Sequence, residues 1–525
     1  MEALDELLSL TDNANLESFI SENLQRVYDS LFLASFEDIE PYSKSLSSFY
    51  AANSRNIAEL DFSKKTNTAF ILMLADFFER FDQAASFNSI LKLCNKFSIP
   101  INSRLKASSL FLSNRIQYNE EYLRIYDEIL ANLEHAYSNE EDEPQKVSYT
   151  FANYFHKVLD DTYQYDRSTA IILQSKLKES KQSNKVNFLD DPLIDELILL
   201  DINKYDEESS LRLNHQISKL IQKDRIFEPE VAATEVSTES EFLIESDTEY
   251  ASHLNRIPIN FDSIRNLSVK LSNNIENVDY VRNSLGRGTY VLTKPEQMVL
   301  YFRDYGNMHK AKIETSLQYV IDEIKNKTIE IIDWGCGQAL ASMVLMDLIK
   351  EQHLNSVVKQ VILIEPSEVC LKRGALHLKK YDQNLKVKTV LKELDKLTLQ
   401  DIKVGRENIK VHLFSNILDV ERFSIYSLSN LISSSNKGGN YFICISPYID
   451  DIRSARLDFF YKHFNENFET KNCCKTINTK SGEYWNCNHN YKYQHVCENH
   501  PSCTSSDPYK NRWTRYEIVF RSTIN

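Results

Sequence analysis

The sequence predicts an all-helical first half followed by an α/β domain built on a mostly parallel sheet. Three observations carry this. All ten glycines lie at or after Gly286, so the first 285 residues lack the residue that tight turns and ligand-hugging loops need. That half instead shows apolar side chains recurring every three or four positions. After residue 252 the rhythm becomes short β-branched runs alternating with helix-length segments, the signature of βαβ units.

In chain order, Leu16, Phe19, Ile20, Leu24, Val27 and Leu31 form one helical stripe. Tyr122, Tyr126, Ile129 and Leu133 form a second, and Phe151, Tyr154, Phe155 and Val158 a third. Residues 1–227 are therefore expected to be helical, either an irregular bundle or a helical-repeat array, although no fixed repeat register is visible. Glu228 to Glu249 holds eight acidic residues and no Lys or Arg, and 228–252 reads as an acidic linker. Residues 253–525 form the α/β domain, with strands expected at Thr328–Asp333, Val358–Glu365, Val387–Leu391, Lys410–Ser415, Asn440–Ser446 and Arg515–Arg521. Thr293-Lys294-Pro295-Glu296 reads as a capping box opening a helix that ends at Gly306, with a second helix from Met308.

Composition excludes several classes. The 525 residues are 42% hydrophobic and 26% charged, which rules out fibrous and disordered chains. The acidic start Met1-Glu2-Ala3-Leu4-Asp5 does not read as a targeting segment, and the longest apolar stretch, Ala69–Phe78, is too short to span a bilayer. A cytoplasmic protein with no membrane association is expected. Nine cysteines in so long a chain do not make a disulfide scaffold, so reduced thiols are expected. The formal charge of −14 argues weakly against a polyanion partner, but from Ile452 to Asn525 there are 11 basic and 7 acidic residues.

The first strand runs into Asp333-Trp334-Gly335-Cys336-Gly337-Gln338-Ala339 and then a helical pattern. A Gly-x-Gly turn between strand and helix brings backbone amides and a helix N-terminus to a ligand. Leu340 stands where a dinucleotide fingerprint would require its third glycine, so a pyrophosphate is not provided for. The acid two residues before Gly335 suits a cofactor with a cationic end. The segment resembles motif I of the class I S-adenosylmethionine-dependent methyltransferases, Asp/Glu-x-Gly-x-Gly-x-Gly, with Ala339 in place of the third glycine.

This resemblance, covering about Gly286 to Asn525, implies a Rossmann-like sheet with an antiparallel last strand and S-adenosylmethionine as cofactor. It implies that Asp333, Gly335, Cys336 and Gly337 hold the cofactor and that Glu365, ending the second strand, accepts from both ribose hydroxyls. Pro366-Ser367-Glu368 follows, with Ser367 placed to cap a helix. It also implies Asp395 near the adenine, Ser415 at the end of the fourth strand, and Tyr305 and His309 on a lid helix. Asn416 and Tyr448 fall at the edge where methyl acceptors enter and are the catalytic candidates. Ile417 and Leu418 replace the prolines of the DNA amino-methyltransferase signature, so the acceptor, nucleic acid or protein, stays open.

Between Cys473 and Cys503 lie five cysteines and three histidines. Cys487, His489, Cys497, His500 and Cys503 could supply a structural zinc site; the other reading is an ordinary insertion at about 473–510. The same stretch interleaves Lys475, Lys480, Lys492, Lys510, Arg512 and Arg515 with Tyr484, Trp485, Tyr491, Tyr493, Tyr509 and Trp513, which suits either single-stranded nucleic acid or a partly buried hairpin. Two functions follow: a methyltransferase, or a non-catalytic methyltransferase-like platform whose helical half binds a protein partner.

Overall fold

A computed structural model describes residues 2–10, 13–34, 36–112, 119–139, 141–164, 166–183, 186–219, 243–448, 451–478 and 515–525. The chain divides into two compact units, one drawn from 1–226 with 449–455 and the other from 227–448 with 456–525. No helix of the described residues is long and apolar enough to cross a membrane.

The first unit is helical, and its helices pack chiefly on near neighbours in sequence. The three predicted stripes lie on the helices Asn13–Phe32, Glu120–Ser138 and Pro144–Thr162. All their members are buried except Phe19, which is half-buried. Next to this apolar core sits a buried ionic cluster. Arg104 donates to Asp76, to Glu79 at 2.8 Å and to Asp142 at 2.6 Å. Burial raises the Glu79 carboxyl despite the guanidinium beside it. Burial would raise Asp142 too, but Arg104 and Lys146 more than reverse this and hold it well below the ordinary carboxylate range.

The second unit holds a seven-stranded sheet in the order β3-β2-β1-β4-β5-β7-β6. The strands are β1 Thr328–Trp334, β2 Val357–Ile364, β3 Lys386–Val390, β4 Ile409–Ser415, β5 Gly438–Ser446, β6 Glu469–Asn478 and β7 Arg515–Ile524. The first five are parallel, and β7 runs antiparallel to both β5 and β6. Six strands match the expected runs within a few residues. Among the described residues β6 is an additional edge strand, and its apolar residues, Cys473, Cys474 and Ile477, do not alternate.

Period-two alternation sorts the central strands onto two cores. Ile329, Ile331, Val411, Leu413, Ile443 and Val519 face one cluster; Ile332, Trp334, Phe414, Phe442 and Phe520 face the other. On the second face a ladder of rings crosses the sheet. His412, Phe442 and Phe520 stand opposite one another on β4, β5 and β7, with centroids 4.5 and 4.6 Å apart. Trp334 Nε1 donates to His412 Nδ1 at 3.2 Å, leaving His412 Nε2 to donate to Asn440 Oδ1 at 3.0 Å.

Three local expectations are corrected. A single helix, Pro295–Leu317, runs through Gly306 without a break. An added Cβ there would lie 2.7 Å from the Phe302 ring and 3.2 Å from Arg265 Cδ, so glycine serves close packing and not termination. The N-terminal cap comes from Gln297, whose Oε1 accepts from Thr293 N and Lys294 N, and not from Glu296. Leu243 to Ser252, the end of the stretch read as linker, belongs to the second unit and includes the start of the helix Glu249–Leu254.

Candidate cofactor site

Parallel strands present their carboxyl ends along one edge, and the order 2-1-4 puts β1 at its centre. There the chain turns through Gly335 (φ +60°), Gly337 (φ +51°) and Ala339 (φ +63°) into the helix Leu340–Glu351. Cys336 N donates to Ile364 O at 3.0 Å, which carries the β1–β2 pairing beyond the strand. Burial drives the Cys336 thiol well above its ordinary pKa, so it stays protonated. No atom lies within 4 Å of where a Gly337 Cβ would project, so the turn leaves open space beside its backbone.

Glu365 stands just past β2. Its Oε2 accepts from Gly337 N at 3.0 Å and its Oε1 from Ser367 N at 3.1 Å. A carboxylate has about four acceptor positions, so about two remain for a ligand. Burial pushes its pKa up to about 7 against those two backbone donors. Ser367 is the N-cap of the helix Glu368–Tyr381, accepting from Cys370 N.

Asp333 is fully buried and turned to the following helix: Oδ2 accepts from Ser342 N at 3.2 Å and Ser342 Oγ at 2.7 Å. Burial raises its pKa to about 7, the Ser342 hydrogen bonds acting against this and the Glu365 charge adding to it. Asp395 Oδ1 accepts from Ser424 N, at the start of the helix Ile425–Ser435.

A second group forms where Pro295–Leu317 meets the end of β4. Tyr301 Oη lies 2.8 Å from His309 Nε2, and Asn416 Nδ2 donates to His309 Nδ1 at 3.0 Å, with Ser415 Oγ 3.4 Å from the same nitrogen. The proton therefore sits on Nε2, donated to Tyr301. Burial, and then the charge of Lys312, lower the His309 pKa to about 3, so the ring is neutral. Asn416 is left-handed (φ +56°), and its buried Oδ1 has no hydrogen-bond partner. The Tyr305 ring lies tilted by 41° against that of Tyr301, 5.1 Å between centroids. Tyr448 packs against the cluster of Trp334 and Phe414, on the face away from Ser415.

The sequence-predicted residues thus form two groups, Gly337 with Glu365 and His309 with Ser415 and Asn416. Sequence reasoning missed the contacts of Tyr301 and Ser342. Only Ser342 carried a local signal, a hydroxyl in the first turn of a helix whose N-cap, Ala339, has no capping group. The five candidate zinc ligands and the basic–aromatic stretch from Lys480 to Arg512 lie outside the described residues. Among the described residues no group of three metal-binding side chains occurs.

The residues present fit S-adenosylmethionine. The space beside Gly337 admits a ligand against the turn, and Glu365 keeps acceptor positions for two hydroxyls. The unpartnered Asn416 Oδ1 offers a further acceptor.

No sequence family matches the chain, and no curated protein matches it. Among solved structures it is similar to an S-adenosylmethionine-dependent O-methyltransferase from Thermotoga maritima, with 13% identity and a TM-score of 0.23, over 40% of this chain and 64% of that one. The chain thus spans a little under two thirds of that protein. A putative RNA methyltransferase from Pyrococcus horikoshii is similar at 12% identity and a TM-score of 0.23, over 40% of this chain and 82% of that one. A putative class I methyltransferase from Listeria monocytogenes is similar at 13% identity and a TM-score of 0.27, over 71% of this chain and 88% of that one. At these values the assignment of fold rests on strand order and direction. With five parallel strands, an antiparallel β7 and a glycine turn after its central strand, the second unit has the Rossmann-like fold of the class I S-adenosylmethionine-dependent methyltransferases.

Proposed function

We propose that the second unit binds S-adenosylmethionine and transfers its methyl group to a nucleic acid or protein acceptor, in the cytoplasm. The observation that carries this reading is Glu365, poised at the carboxyl edge of the sheet and tied to the glycine turn through Gly337 N. When bound, S-adenosylmethionine supplies an electrophilic methyl on a cationic sulfur. Gly335, Cys336 and Gly337 would shape the backbone beside it, and Glu365, ionised, would accept from the ribose hydroxyls. Asp333 supports the turn from behind by capping the next helix.

Methyl transfer asks chiefly for in-line placement. His309 holds Asn416 by its amide nitrogen and so aims Asn416 Oδ1 as an acceptor. A histidine with a pKa of about 3 is a poor proton acceptor at neutral pH, so orientation and not general-base catalysis is the role proposed for it.

Isothermal titration with S-adenosylmethionine and S-adenosylhomocysteine, NAD serving as control, tests the reading. Binding of the first two alone is expected, and Glu365→Ala should weaken it by about 1.5–3 kcal/mol, the value of hydrogen bonds to a charged group. Methyl transfer from labelled cofactor to RNA, DNA and protein extracts then identifies the acceptor. A folded protein that binds neither ligand would favour the second reading, a platform whose helical half docks a protein partner.

A further inference from the structure

One set of contacts reaches the glycine turn from outside the groups described above. Leu243 N donates to Thr389 Oγ1 at 2.8 Å and Glu245 N to Lys372 O at 3.2 Å, which lays the end of the acidic stretch along the helix Glu368–Tyr381. The Glu245 carboxylate accepts from Arg373 Nε at 2.8 Å and Nη2 at 2.9 Å, a bidentate pair almost removed from solvent. The Arg373 guanidinium lies 3.9 Å from the centroid of the Tyr250 ring. Tyr250 Oη is 2.7 Å from His377 Nε2, and His377 Nδ1 is 3.0 Å from the carbonyl oxygen of Gln338, inside the turn. A carbonyl only accepts, so Nδ1 carries the proton and Nε2 accepts from Tyr250.

Gln338 is held at two further points. Its Nε2 donates to Met298 O at 2.9 Å, and Gly374 lets the helix backbone come so close that an added Cβ would lie 3.1 Å from the Gln338 carbonyl carbon. The next residue, Ala339, occupies the left-handed region, which a non-glycine residue holds only when its surroundings enforce it.

We propose that residues 243–254 clamp the cofactor turn, with Tyr250 and His377 as positioning residues that fix the Gln338 peptide and, through it, the direction of Gly337 N toward Glu365. This rests on the reading of the turn as the S-adenosylmethionine site. Both residues act through Gln338, and neither is placed against the cofactor.

The test uses the full-length chain, with S-adenosylhomocysteine titration, thermal unfolding and amide hydrogen exchange over residues 335–340. Tyr250→Phe, which removes one hydroxyl, should weaken binding about three- to tenfold, the scale of one hydrogen bond, and speed exchange in the turn. His377→Asn keeps a donor near the Nδ1 position but loses the acceptor for Tyr250, so it should weaken binding about as much as Tyr250→Phe; His377→Gln, which places its amide near Nε2 and leaves the Gln338 carbonyl without its donor, should weaken binding more. Leu254→Ala truncates a fully buried residue of the same segment that is outside the chain of contacts, and should lower the melting temperature while sparing affinity. The clamp is overturned if Tyr250→Phe binds and exchanges like the parent, or if Leu254→Ala costs the same affinity. If the parent binds no ligand, the functional reading fails and exchange alone decides: faster exchange in Tyr250→Phe supports the clamp, and unchanged exchange overturns it.

Discussion

Asp333 and Ser342 are joined by two hydrogen bonds, one to the backbone nitrogen and one to the hydroxyl, so the acid ahead of the glycine turn caps the helix beyond it. Ala339, at the N-cap, has no side chain for this task. A strand residue thereby does the work usually done by a local Ser, Thr, Asp or Asn.

This arrangement has a pH signature. The unfolded chain releases the Asp333 proton near the ordinary value of about 3.9, whereas burial delays release to about 7 in the fold. Between those values the folded state holds the proton and the unfolded state does not, so stability contributed by this group falls as pH rises through the window. Asp333→Asn should flatten the decline in urea-unfolding free energy from about pH 4 to 7. A slope equal to the parent's would contradict the buried, protonated carboxyl.

Glu365 gives the opposite trend in binding. Its ionised form is the better acceptor for two hydroxyls, so S-adenosylhomocysteine affinity should rise as pH passes about 7. Glu365→Gln should bind more weakly and lose much of that pH dependence in titrations on either side of neutrality. A parent protein whose affinity is flat over this range would remove Glu365 from the role.

Ala339→Gly should stabilise the second unit. The left-handed conformation costs a side-chain-bearing residue about 1–2 kcal/mol, partly offset by the greater chain entropy of unfolded glycine, leaving about 0.5–1 kcal/mol. Chemical denaturation measures it, and a destabilised variant would show that the Ala339 methyl contributes packing worth more than the strain.

Gly306→Ala should destabilise despite alanine's better helix propensity. The added methyl meets the fully buried Phe302 ring, and overpacking of that kind costs about 1–3 kcal/mol against a propensity gain of about 1. A lower melting transition is expected; a higher one would mean that the ring turns aside freely.

In the first unit, Arg104→Met leaves Asp76, Glu79 and Asp142 without their shared cation. Removing one member of a buried ionic group costs about 3–5 kcal/mol, so the helical unit should unfold at markedly lower temperature.

Much of the second unit was legible in the sequence because its central strands are buried on both faces and read as apolar runs, as in Val361-Ile362-Leu363-Ile364. β6 was not, because an edge strand carrying Glu469, Lys471 and Lys475 has no hydrophobic period. Gly306 was read as a stop because glycine weakens a helix locally, while the reason for it is packing: the Phe302 ring one turn back on the same helix lies over it, and Arg265 from the helix Phe261–Ser272 closes in beside it. In the site, Gly335, Gly337 and Glu365 were legible because each is fixed by its place at a strand end. The meeting of His309 with Ser415 and Asn416 was named only residue by residue, since more than a hundred positions separate the partners. The Tyr250–His377–Gln338 connection had no sequence signal, because nothing local requires any of the three.

The order β5-β7-β6 also bears on how the sheet comes together on the ribosome. Among the described residues β6 pairs with β7 alone, and β7 emerges only after the residues between 478 and 515 have been made. Until then the exposed edge is that of β5, and the Phe442 ring lacks Phe520 as its neighbour. The parallel half can pair from β1 to β5 as it is synthesised, whereas the antiparallel half closes in one late step. The nascent chain therefore carries an open apolar edge through that interval, the stage at which a chaperone would matter most.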